Sequence, residues 1–219
     1  MGAPAILDHV VLAGPDLAAT IDEVELRTGV RAPLGGRHPG GTANALIGFT
    51  RGGRRVKQYL ELIGPDAEGG WAASEIGRFG IAELPAPAVV SFAIAPHDLD
   101  ATVERATAAG AGIAALVPLS RRTPDGRELA WRLGLPEDER QPPFLIDWGD
   151  TAHPALDDIP ALELLAVRRL ATDVAAETAR LRALGVEVGD GRDALEVVAA
   201  DADGIEIEVE VDGLPVVLR

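Results

Sequence analysis

The chain has 219 residues, 47% of them hydrophobic, and no cysteine. It is long enough to bury a sizeable core, and disulfides, thiolate metal sites and cysteine nucleophiles are excluded together. Its 35 acidic against 20 basic residues give a net charge of −15, a surface that repels a phosphate backbone and rules against nucleic acid as a partner.

The first element is read from "LDHVVLAGPDLAAT" (residues 7–20). An apolar strand is followed by Asp16, suited to accept from the free N–H groups of a helix start. Leu17, Ile21 and Val24 then recur at helical spacing, and Gly29 ends the helix, predicted over 17–28. The strand-like segments "GVRA", "TANALIGF" and "VKQYLELIG" follow, the last two separated by the turn "TRGGRR". Residues 64–88 read as a connector, with a short helix at "ASEIGRFG" and the Pro-rich "ELPAPA".

The pattern then restarts. "VVSFAIAPHDLDAT" (89–102) overlays the first segment at an offset of 82 residues, with Ala95, Asp98, Leu99 and Thr102 in the places of Ala13, Asp16, Leu17 and Thr20. A helix is predicted over 99–109, closed by Gly110, and then the strands "GIAALVPLS", "ELAWRLGL" and "FLIDWG" with turns at 123–127 and 136–143. After the connector "GDTAHPALDDIP" (149–160), a fainter copy begins at Leu164, with Asp173 as cap, a helix predicted over 174–184, Gly185 as its stop and three more strand-like segments. A β-α-β-β-β unit is thus written three times. The fold class expected is α+β: two units at about 6–63 and 88–149 within a domain of residues 1–150, and a third unit in 161–219.

Four separated segments, "LDHVVLAGPDLAAT", "GGRHPGGTANALIG", "YLELIGPD" and "PFLIDWGD", together resemble the glyoxalase-like domain family of the vicinal oxygen chelate superfamily, the glyoxalase and extradiol dioxygenase fold. The resemblance covers roughly residues 6 to 150, and the third unit follows by pattern only. It implies that the sheets of two units curve into one cup with helices outside, and that metal ligands come from the first and last strands of the units.

Side chains alternate along a strand, so Leu7, His9 and Val11 are expected on one face, and Tyr59, Glu61 and Ile63 oppose the wholly apolar Leu60 and Leu62. With the first sets facing the cup, His9 and Glu61 take the two metal positions that the resemblance implies. Imidazole plus carboxylate suits a divalent Zn, Ni, Mn or Fe ion, and Glu61 could also shuttle a proton. The second unit offers less. Ser91 stands where the repeat would place a histidine, and either Ile146 or, with the strand slipped by one residue, Asp147 stands opposite Glu61.

Further substrate-binding candidates are Arg37, to neutralise an acidic substrate, His38, to supply a missing imidazole, and Asn44, to orient a carbonyl or carboxylate; Tyr59, Ser91 and Trp148 would line the pocket. His97 and His153 read as a helix-start residue and a linker residue, and Glu206, Glu208 and Glu210 as the solvated face of a one-sided strand. The resemblance leaves two functions open. One is a metal-dependent lyase, isomerase or dioxygenase acting on a small oxygenated metabolite. The other is a metal-free protein of the same fold that binds or sequesters such a ligand. The absence of a signal-peptide pattern in "MGAPAILDHVV" and of any apolar run near ~20 residues points to a cytoplasmic protein without a membrane partner. An odd third unit leaves a sheet face to cover, hence an expected homodimer.

Overall fold

The computed structural model describes residues 2–4, 6–123, 126–138 and 141–219; the expected turns at 123–127 and 136–143 include residues 124, 125, 139 and 140, which lie outside the described residues. The first unit runs β1 (Leu7–Ala13), α1 (Leu17–Thr28), β2 (Leu34–Arg37), β3 (Thr42–Arg51) and β4 (Arg54–Pro65). The second runs β5 (Ala88–Ile94), α2 (Leu99–Ala108), β6 (Ile113–Arg122), β7 (Glu128–Pro136) and β8 (Phe144–Asp147). The third runs β9 (Ala161–Ala171), α3 (Val174–Ala183), β10 (Glu196–Ala199), β11 (Gly204–Val211) and β12 (Leu214–Leu218).

Each helix starts as the sequence requires. Asp16, Asp98 and Asp173 accept from the backbone N–H of Ala19, Ala101 and Ala176 at 3.0, 2.9 and 2.9 Å. Beyond each helix Gly29, Gly110 and Gly185 take the left-handed conformation, with φ of 71°, 73° and 85°.

The two first units close on each other. In both, the last strand returns parallel to the first, β4 beside β1 and β8 beside β5. β1 and β5 join the units antiparallel on one side, and β2 meets β6 on the other through the pair Arg37 and Arg122. With β3–β4, β2–β3, β6–β7 and β7–β8 antiparallel, eight strands form a ring around an enclosed interior. No helix among the described residues is long and apolar enough to cross a membrane.

The third unit keeps the element order but not the pairing. Here β9 is central, with the short β10 parallel on one edge and β11 antiparallel on the other, while the start of β9 also runs parallel to the end of β3. The place that β4 and β8 hold beside their first strands is thus taken by β10, and β12 is left as the outer edge. One face of this sheet packs on the chain itself. Val167, Ile205, Ile207 and Val209 share a core with the outer face of the ring (Val10, Leu12, Leu60, Leu62, Phe92, Ile94) and with Leu17 and Ile21 of α1. Each such fully buried side chain contributes about 1.5–3 kcal/mol, and the apolar face that motivates a homodimer is covered within the chain.

The three alternating glutamates depart from the solvated strand expected of them. β11 lies between β9 and β12, so it is not an edge, and Arg168 and Arg219 reach over it to pair with Glu208 at 2.7 Å and Glu206 at 2.6 Å. Glu206 and Glu208 are buried in these pairs, and only Glu210 is exposed.

Candidate functional site

Strict alternation would put Asp8 on the outside of β1, in the apolar layer. Instead a register shift between Leu7 and His9 breaks the alternation. Leu7 joins Val10 and Leu12 in the outer core, so it does not share the face of His9 and Val11 as the sequence suggested, and the Asp8 carboxylate reaches His9. Asp8 is 2% exposed and takes three bonds: from His9 Nδ1 at 2.7 Å, from Trp148 Nε1 at 3.0 Å and from His153 Nε2 at 3.0 Å. Burial pushes its carboxyl upward, but the hydrogen bonds from His153 and His9 outweigh that and hold it at about 2. Asp8 is therefore ionised, and acceptor only, so the hydrogen on His9 sits on Nδ1 and Nε2 is left facing the interior. His153 is fixed the same way, since its Nδ1 accepts from the Ala155 N–H at 3.2 Å.

His9 stacks on Tyr59, with ring centroids 4.6 Å apart and planes at 19°. Its Nε2 lies 3.7 Å from Glu61 Oε2, and on the other side of the carboxylate Glu61 Oε1 accepts from Asn44 Nδ2 at 2.6 Å. His38 Nε2 stands 3.9 Å from Glu61 Oε1 and 3.4 Å from Asn44 Nδ2, with its Nδ1 3.1 Å from Thr42 Oγ1. Burial lowers the His38 pKa to about 4, against the opposing pull of Glu61, so this imidazole is neutral at neutral pH. Burial likewise raises the Tyr59 phenol well above its ordinary range, helped by Asp8 and Glu61, so it stays protonated. These groups line a cavity of about 290 Å³ inside the ring, together with Arg121, Trp131, Leu133, Phe144 and Ile146. The connector after β4 adds Arg78 and Phe79 to its wall. Phe79, in the left-handed region at φ 56°, brings its ring within 6.0 Å of Phe144, and Arg78 lies over Phe79 at 4.4 Å. The sequence reading treated this segment as a connector alone.

The sequence candidates divide accordingly. His9, His38, Asn44, Tyr59, Glu61 and Trp148 line the cavity. Arg37 does not: it is half exposed on the outer rim, paired with Asp66 and Glu68. Ser91 is buried beside Val11 and lies outside the cavity lining. Asp8, Arg121 and His153 were missed. A charged residue in the middle of an otherwise apolar strand, "ILDHVVLA", is the signal that could have found Asp8; nothing local marks Arg121 or His153.

The register also decides what opposes Glu61. Val11 pairs with Glu61 across β1 and β4, and its repeat equivalent Ala93 pairs with Phe144 across β5 and β8. Phe144 therefore holds the Glu61 position, rather than Ile146 or Asp147. Asp147 is engaged by Arg132 at 2.8 Å and by the Gly149 N–H at 2.9 Å. The second unit thus presents Ser91 and Phe144 where the first presents His9 and Glu61, and a phenyl ring has no donor to offer a cation. Among the described residues no three His, Asp or Glu side chains are grouped as a resident metal requires.

A ring of two such units around a cavity with an imidazole and a carboxylate on adjacent strands defines a protein of the vicinal oxygen chelate superfamily. Within it, the family model described as a glyoxalase-like domain matches residues 7–185, and the chain belongs to that family. No curated protein matches it. The chain is similar over its whole length to a hypothetical protein from Staphylococcus aureus, at 14% identity and a TM-score of 0.66, covering 97% of this chain and 98% of that one, a likeness of fold. A variant of Streptomyces coelicolor methylmalonyl-CoA epimerase in complex with 2-nitronate-propionyl-CoA is 22% identical with a TM-score of 0.41, over 66% of this chain and 97% of that one. A mutant 4-hydroxymandelate synthase from Streptomyces coelicolor is 16% identical with a TM-score of 0.44, over 98% of this chain and 62% of that one.

Proposed function

We propose that the protein is an enzyme that moves a proton on a small oxygenated metabolite held in the ring, with Glu61 as base. The observation that carries this reading is the line Asp8, His9, Glu61, Asn44. One carboxylate is ionised and buried behind an imidazole, and a second is clamped by an amide in front of it, at the wall of an apolar cavity. Asn44 fixes the Glu61 rotamer through Oε1 and leaves Oε2 for substrate. A substrate atom at ~2.8 Å from both Glu61 Oε2 and His9 Nε2 bridges the 3.7 Å between them. Glu61 takes the proton from a carbon next to a carbonyl. The unprotonated Nε2 of His9 takes that proton up from Glu61, the imidazolium so formed being stabilised by Asp8, and gives it back to the substrate on the neighbouring atom. The protonated Tyr59 phenol is the donor for the oxygen that gains charge. The hydrophobic wall excludes water from the reacting atoms.

A divalent ion on His9 Nε2 and Glu61 is the second reading, favoured by the Asp8–His9 bond, which is how a carboxylate orients a metal-bound imidazole. The protein supplies two donors to it, and the ligand would have to complete the shell. Near-stoichiometric divalent metal in protein purified without a His-tag, lost in His9→Ala, would establish that reading. The alternative of a ligand-sequestering protein is separated by exchange. A panel of small oxo compounds is incubated with the protein in D2O and the hydrogens next to the carbonyl are followed by NMR. The enzyme reading expects catalysed deuterium incorporation that Glu61→Gln abolishes, whereas binding without exchange across the panel assigns sequestration.

A further inference from the structure

Two arginines line the cavity without a part in the reaction, Arg78, which lies over the Phe79 ring, and Arg121. Arg121, on β6, is 6% exposed and lines the cavity from the second unit. Of its five N–H donors, one hydrogen bond is formed, from Nη1 to the Gly35 carbonyl at 2.8 Å. Among the described residues no carboxylate stands within ion-pair distance of it. Its negative neighbours, Glu61 and Asp157, act on it only beyond contact distance, so most of the desolvation cost of the buried guanidinium is left without a direct partner. Its seat is built for it. A Cβ on Gly36 would lie 2.6 Å from Arg121 Nη1, and one on Gly35 would lie 2.5 Å from Asn44 Oδ1, so the bare backbone of β2 lets both polar side chains lie against it. Asn44 Oδ1 is itself buried with no partner, an acceptor waiting for a donor. The rest of the lining from the second unit includes the apolar Val117, Leu119, Trp131, Leu133, Leu135 and Phe144.

We propose that the cavity takes a small organic carboxylate with an apolar body, its carboxylate held by Arg121, its body against the β6, β7 and β8 wall, and a hydroxyl or amine hydrogen donated to Asn44 Oδ1. This rests on reading the cavity as the substrate site. It adds the chemical class: a monoanion, bound at Arg121. Burial already lowers the affinity of Arg121 for its proton, which an anion alongside would reverse.

The test is calorimetric titration of the full chain with hydrocinnamate, butyrate and lactate, with hydrocinnamamide as the neutral counterpart and inorganic phosphate as the alternative anion. The expected result is that at least one carboxylate binds, that the amide binds about 30-fold more weakly or worse, and that Arg121→Gln removes the difference while leaving amide binding unchanged, with partial recovery in Arg121→Lys. Equal binding of acid and amide overturns the proposal. So do a preference that survives Arg121→Gln, binding of phosphate alone, and no binding by any carboxylate up to about 10 mM. Glu61→Gln separates the two readings. Carboxylate binding that needs Arg121, with no Glu61-dependent exchange, keeps this proposal and removes the enzyme; exchange without carboxylate preference does the reverse.

Discussion

The two halves of the ring are copies of one unit, yet their inner walls have opposite character. The first unit lines the cavity with His9, His38, Asn44, Tyr59 and Glu61; the second lines it with Trp131, Leu133, Phe144 and Ile146 and a single cation, Arg121. At equivalent register positions Glu61 faces Phe144. Outside, the halves remain alike, with matched caps and matched helices, because that surface must satisfy the same packing in both. The cavity lining is thus mainly polar where the first unit supplies it and mainly apolar where the second does.

The sharpest way to break that comparison is at Glu61. Glu61→Gln keeps shape and burial but removes the proposed base, and exchange is expected to fall about 10²–10⁴-fold, measured by NMR in D2O. Retained activity would move the chemistry out of the polar half. Asp8→Asn comes next. It leaves three donors around a group that no longer carries charge, and a loss of about 3 kcal/mol is expected in denaturant unfolding at pH 7.

The same carboxylate sets an acid limb. Its folded pKa of about 2 lies below the ordinary value of 3.8, so its contribution is complete above pH ~4 and is lost as pH falls towards 2. The loss is about 2 kcal/mol, present in wild type and missing in Asp8→Asn. His38 gives a gentler slope at higher pH. Its folded pKa of about 4 lies below the ordinary 6.5, so the unfolded chain binds the extra proton first, and stability declines as pH falls from about 6.5 to 4. A change on the order of 2 kcal/mol is expected, flattened in His38→Gln. If that slope is unchanged in the variant, the polar wall is wetter than the cavity described. The smallest effect is at Ser91, the repeat equivalent of His9. Ser91→Ala should change stability by about 1 kcal/mol or less and leave exchange unaltered, and a tenfold loss of activity would return the second unit to the reacting centre.

Much of the architecture was legible because its signals are local. The Asp caps, the Gly stops and the apolar spacing of three helices are each set by neighbours within a few residues, and the helices observed at 17–28, 99–108 and 174–183 follow them. The repeat at 82 residues made the pairing of the first two units readable as well. His9 and Glu61 were legible because alternation holds through the middle of β1 and β4.

What only the tertiary structure decided depends on groups far apart in sequence. The bulge at Leu7–His9 turns Asp8 inward, where its partners His153 and Trp148 come from more than a hundred residues away. The register of β8 against β5 chose Phe144, because strand pairing is settled by the closing of the ring and by no feature of "PFLIDWGD" itself. Arg121 reads as one more surface arginine until β2 crosses beside it and removes its water. The third unit shows the same limit, since an identical order of elements admits more than one strand pairing. The open edge of β9 was claimed by whichever strand could reach it, and β10 and β11 did. Short-range patterns specify elements through propensity and capping, whereas burial, charge state and register are properties of the assembled core, and those are what made a site of these residues.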